Sequence, residues 1–197
     1  WYEDVGTVVS AHPIATEIGM EVLQGGGNAV DAAVAVGFAM GVVDQFHSGI
    51  GGGGFIVIRV ADGTIHTIDG RETAPAAATR DMYLRNGEFD PLLSQEGVLA
   101  VGVPGIVAAY EEALELAGTK TLAEAVQPSI PVARDGFVLD EPYAHVIRET
   151  AEKLKTDPTS RAIYLHEDGS PLAAGEMLRQ PDLAATYEKI AARGTDY

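Results

Sequence analysis

The sequence predicts a mixed α+β domain in which Ala-rich helices lie against short strands. Three observations predict it. The stretch Ala29 to Val43 is apolar nearly all round, so it reads as a helix buried on most sides. A β-branched run, Phe55 to Val60, is followed by Asp62-Gly63 and then by "TIHTID", the pattern of a hairpin. The second half carries helical segments bounded by Pro and Gly.

Each element has a local reason. "GTVVSAH", Gly6 to His12, reads as a short buried strand. Pro13 fits the first position of a helix, where its missing N–H costs nothing. Ile14, Ile18, Val22 and Leu23 recur with helical spacing, and Gly25 to Gly27 stop the helix. Asn28 is placed to cap the next helix. Asp31, alone among apolar neighbours, is expected to be a first-turn charge satisfied by backbone N–H groups. It also argues for a buried helix over a membrane span in this stretch. Alternation across the hairpin is weak, so both of its faces are expected to be covered. After Pro75 the pattern turns helical. "VPGIVAAYEEALELAG" starts at a Pro and ends at Gly118. "TLAEAVQPSIPVARDG" is a helix interrupted by Pro128 and Pro131, and "EPYAHVIRETAEKLKTD" and "PDLAATYEKIAARG" are amphipathic helices. Residues 1–197 show no internal repeat or low-complexity linker and read as one domain.

Composition excludes several functions. The formal net charge of −16 argues against nucleic acid, which needs clustered Lys and Arg. There is no cysteine, which removes disulfides, thiol nucleophiles and thiolate metal sites. The five histidines are scattered without ligand spacing, so no metal is expected. His47 beside Ser48 suggests half of a serine triad, but such a neighbour pair is usually loop chemistry. Glu111, Glu112 and Glu115 read as a solvated helix face. "WYEDVG" carries no basic region and no apolar core, so no export signal is visible.

"SGIGGGGFIVIRV" poses the main question. A phosphate loop or dinucleotide fingerprint needs a helix after its glycines. Here a strand follows, and no Lys. Two readings stay open: close approach of the backbone to another layer, or a side-chain-free wall of a small-molecule site. Arg71, at the end of the second hairpin strand, is the other candidate. A guanidinium offers a planar fork of donors that fits a carboxylate. The competing reading is a structural salt bridge to Glu72 or Asp69.

The segments "GGNAVDAAVA", "GIGGGGF" and "DGRETAP", in that order, resemble the large subunit of γ-glutamyltranspeptidases. "GVPG", "QPSIPVARDGF" and the helix near Ala184 extend the resemblance over nearly the whole chain. The resemblance implies an N-terminal nucleophile hydrolase, a four-layer αββα sandwich of which this chain holds only part. It implies cleavage of γ-glutamyl amides such as glutathione through a γ-glutamyl-enzyme, with transfer to water, amino acids or peptides. It implies that Arg71 binds the substrate α-carboxylate, with no cofactor. It also implies a partner: a small subunit whose N-terminal Thr is the nucleophile. Thr7, Thr16, Thr64, Thr67 and Thr73 are all internal, so no catalytic residue is assigned here. A partial large subunit, inactive alone, is expected, with sheet edges that invite association. The family suggests a periplasmic or extracellular setting. Related alternatives are a glutaryl-type cephalosporin acylase and a poly-γ-glutamate-processing enzyme; a non-catalytic binding or assembly domain is the reading from another class.

Overall fold

The computed structural model describes residues 6–196. In chain order it contains α1 (Pro13–Gln24), α2 (Ala29–Val43), β1 (Phe55–Arg59), β2 (Ile65–Asp69), β3 (Leu84–Arg85), β4 (Glu88–Phe89), α3 (Ile106–Ala117), α4 (Leu122–Val126), α5 (Ser129–Asp135), β5 (Phe137–Val138), α6 (Glu141–Leu154), α7 (Pro158–Tyr164), β6 (Met177–Leu178) and α8 (Pro181–Arg193). The chain divides into two compact units: residues 1–49 with 110–197, and residues 50–109.

The first unit is helical and built around α2. Val34, Ala35, Phe38, Ala39 and Val42 are buried, as an all-round apolar helix requires. Phe38 meets Tyr110 and Tyr187 edge to face, at centroid distances of 5.1 and 5.4 Å. The Tyr187 hydroxyl donates to the Phe38 carbonyl at 2.9 Å, so its burial leaves no unpaired polar group. Gln180, also buried, donates from Nε2 to the Val42 carbonyl at 2.9 Å. Asn28 caps α2 by accepting from Val30 N and Asp31 N. The Asp31 carboxylate accepts from Asn28 N at 2.7 Å, Thr119 N at 2.8 Å, Lys120 N at 3.0 Å and the Thr119 hydroxyl at 2.7 Å. The backbone satisfaction expected for this charge is therefore present, with Thr119 and Lys120 supplying two of its three backbone donors. The interruption expected at Pro128 separates α4 from α5, whereas Pro131 lies in the first turn of α5 and does not interrupt it.

The segment Gly6 to His12 is no strand. No ladder includes it among the described residues, and Val9 is 87% exposed. A strand exists only through a partner, and none pairs with it among the described residues.

The second unit holds the hairpin, with register from Phe55 opposite Asp69 to Arg59 opposite Ile65. Its turn closes through Gly63 at φ +93 and through Thr64 N donating to Asp62 Oδ1 at 2.8 Å. One face buries Ile58 and Ile68. The other leaves Phe55, Val57 and Ile65 between 62% and 70% exposed, so the expectation of two covered faces fails within this chain. Residues 76–100 are not the helical stretch expected after Pro75. They form turns, the short β3–β4 ladder and two 3₁₀ turns at Pro91–Ser94 and Val98–Ala100.

Candidate functional site

Arg71 lies in the second unit, one residue past the Gly70 that follows β2. Three backbone segments hold it. Gly54 and Gly70 exchange both N–H···O bonds, at 3.3 and 2.9 Å, extending the hairpin ladder by one step. Thr73 and Val103 do the same at 3.2 and 2.8 Å. The Gly52 carbonyl accepts from Gly105 N at 3.2 Å and Ile106 N at 3.3 Å. Those last two donors belong to the start of α3, where backbone N–H groups lack intrahelical partners. A phosphate cradle would need such donors free, and here a loop carbonyl occupies them. The glycine loop therefore serves close backbone approach.

Within this frame Asp69 Oδ1 accepts from Arg71 N at 3.0 Å, a side-chain turn that fixes the arginine backbone. The Arg71 guanidinium approaches Glu72 through Nε, with 3.2 Å to Oε2. Of the two salt-bridge partners weighed from the sequence, Glu72 is the one beside the guanidinium, and Asp69 bonds the backbone instead. The Arg71 side chain is still 69% exposed. An exposed pair of this kind contributes little to stability. A guanidinium with five donors has capacity for a second carboxylate from solution. The arrangement is suited to recognising an anion.

Sequence reasoning named Glu72 and Asp69 beside Arg71, but it missed Gly53 and the backbone role of Asp69. The Asp two residues before the Arg was a readable signal, since Asp accepts from the backbone two residues on. The contact of Gly53 joins residues far apart in sequence and left no such sign.

The other candidates separate from this site. His47 Nδ1 contacts Asp44 Oδ1 at 3.2 Å and is 73% exposed, and Ser48 N donates to the Asp44 carbonyl at 2.9 Å, so the pair belongs to a loop turn. Tyr143 and Tyr164 both donate to Gln45 Oε1, and burial pushes both phenols up, so they stay neutral. No group of three or more side chains set to hold a metal occurs among the described residues.

Comparison with known proteins places these features in a family. The chain is 45% identical over 192 residues to the glutathione hydrolase proenzyme of Pseudomonas sp. (strain A14), covering 97% of this chain and 33% of that protein. It is 42% identical over 198 residues to the acylase ACY 1 proenzyme of Pseudomonas sp. (strain V22), covering 97% of this chain and 35% of that protein. The chain thus spans about a third of the length of the curated relatives it matches. The crystal structure of Helicobacter pylori γ-glutamyltranspeptidase superposes with a TM-score of 0.94 at 41% identity, over 98% of this chain and 56% of that one. The α+β arrangement is therefore part of the N-terminal nucleophile hydrolase fold. The family model for γ-glutamyltranspeptidase matches residues 15–197. A match of that extent, together with relatives above 40% identity along the whole chain, means that the chain belongs to the γ-glutamyltranspeptidase family.

Proposed function

We propose that the protein carrying this chain cleaves γ-glutamyl amides and that Arg71 holds the α-carboxylate of the glutamyl group. The observation that carries the assignment is a guanidinium 69% exposed on a turn whose backbone is fixed on both sides. Family membership supports the reaction: a Thr nucleophile at the start of a small subunit attacks the amide carbon, its own amine takes the hydroxyl proton and passes it to the departing amine as the C–N bond breaks, and water or an amine then attacks the γ-glutamyl ester, takes the acyl group and gives a proton back to the Thr oxygen. Arg71 contributes position. A carboxylate paired on the guanidinium fork fixes one end of the glutamyl chain, so its amide meets the nucleophile in one orientation.

A second reading, acylase activity on glutaryl-type side chains, has the 42% identical acylase relative in its favour. Glutaryl and γ-glutamyl groups share a terminal carboxylate and differ by the α-amine. Rates on a γ-glutamyl anilide against a glutaryl anilide separate the two readings.

Arg71→Lys tests the arginine in the complete processed enzyme. The charge stays and the fork is lost, so KM for a γ-glutamyl anilide should rise about 10-fold or more, the cost of a bidentate charge-assisted pair. Unchanged KM and kcat/KM would remove Arg71 from the substrate site.

A further inference from the structure

We propose that Gly53 is a positioning residue for Arg71: its missing side chain is what lets the glycine loop press against the backbone of the arginine turn and set where the guanidinium begins. The proposal rests on the assignment of Arg71 to the substrate carboxylate. A Cβ on Gly53 would collide with the Gly70 carbonyl oxygen, and would lie 2.8 Å from Glu72 N and 2.9 Å from Glu72 Oε2. The first two are backbone atoms and cannot swing aside. The third is the oxygen that faces Arg71 Nε.

The turn is gripped from the opposite side as well. A Cβ on Gly105 would lie 2.5 Å from Gly70 O, 2.9 Å from Gly70 C and 3.1 Å from Arg71 O. Both glycines lie outside the positive-φ set, so space alone demands them. The demand is also local. A Cβ on Gly51 meets nothing within 4 Å, and one on Gly54 meets only Ile106 Cδ1, at 3.4 Å. A loop kept glycine-rich for flexibility would not discriminate between Gly51 and Gly53. Of Gly51, Gly53 and Gly54, Gly53 is the one whose added Cβ would run into residues 70 and 72.

An added methyl must displace the Gly70 carbonyl by about an ångström to restore ordinary contact, and a shift of that size under the arginine is enough to spoil the paired fit of its guanidinium to a carboxylate. The effect belongs in KM for the carboxylate-bearing substrate. The chemical step, performed elsewhere, should change little.

Steady-state kinetics of the complete processed enzyme on a γ-glutamyl anilide test this. Gly53→Ala should raise KM about 10-fold with kcat within about 3-fold, and Gly51→Ala should leave both within about 2-fold. In an Arg71→Lys background, Gly53→Ala should add almost nothing, because the two changes act on one interaction. If Arg71→Lys raises KM and Gly53→Ala does not, the positioning role is wrong and the carboxylate assignment survives. If Arg71→Lys itself leaves KM unchanged, the carboxylate assignment fails and takes this proposal with it. An equal loss from Gly53→Ala with and without Arg71→Lys would mark a general structural role and overturn the proposal. Should Gly53→Ala not accumulate as processed enzyme, Gly105→Ala presses on the same turn and takes its place under the same expectations. Failure of both to accumulate would assign these glycines to folding alone, against the proposal.

Discussion

Asp31 is a residue whose charge holds two distant parts of the first unit together. It is fully buried, and its carboxylate accepts four hydrogen bonds, three of them from backbone N–H groups of Asn28, Thr119 and Lys120. Burial pulls its pKa upward, but the Thr119 hydroxyl and the three N–H donors outweigh it, and the net direction is below the ordinary carboxylate value. A depressed folded pKa means the unfolded chain binds the proton more readily. The stabilisation is therefore complete above about pH 4 and fades as pH falls through the folded pKa. Asp31→Asn removes the charge and sets an amide N–H₂ against N–H donors. It should cost about 3 kcal/mol at neutral pH and should flatten the acid limb of the stability curve. Urea unfolding of the protein carrying each variant, between pH 3 and 7, measures both effects. A variant as stable as the parent at pH 7 would mean the network contributes nothing.

At the scale of elements, the pair α1 and α2 packs through glycine. A Cβ on Gly19 would lie 2.6 Å from Val36 Cγ2 and 2.8 Å from Val8 Cγ1, both β-branched side chains with little rotamer freedom. Ala is the better helix former by about 1 kcal/mol, while overpacking a close contact costs about 1–3 kcal/mol. Both neighbours are stiff, so the steric term wins and Gly19→Ala should lower stability by up to about 2 kcal/mol, read as a fall in Tm; a rise in Tm would mean the helices simply move apart. These same elements show what the sequence made legible. α2 was readable because its apolar character is continuous and its Asn28 cap is local. The β1–β2 hairpin was readable because Asp62-Gly63 demands a turn. Asn86-Gly87, with φ +57 and +84, closes the β3–β4 ladder and was an equally strong turn signal that passed unread. Gly6 to His12 was misread because strand propensity describes a side-chain pattern, and pairing is a property of the neighbour. Arg71 was legible as a candidate from its residue type and its place after a strand. Its grip by Gly53 and Gly105 was not, because close approach between segments tens of residues apart leaves no periodicity.

At the scale of the whole chain, two long-range properties oppose each other. The formal net charge is −16, which repels like copies. The open face of the hairpin shows Phe55, Val57 and Ile65, each more than 60% exposed, which favours burial against another surface. Charge repulsion depends on ionic strength and apolar burial does not weaken with it. Screening shortens from ~30 Å at 0.01 M salt to ~3 Å at 1 M, so added salt removes the repulsive term first. The 197-residue chain alone should therefore sediment as a smaller species at low salt and shift to larger species as salt rises. Val57→Glu places a charge in the middle of the apolar face, opposite Thr67 in the ladder, and should hold the chain in the smaller species even at 1 M salt, about the limit of useful screening. Sedimentation velocity across that range decides it. A distribution indifferent to salt would show that charge does not keep copies apart. A salt-driven shift that survives Val57→Glu would place the sticky surface elsewhere than on β1 and β2.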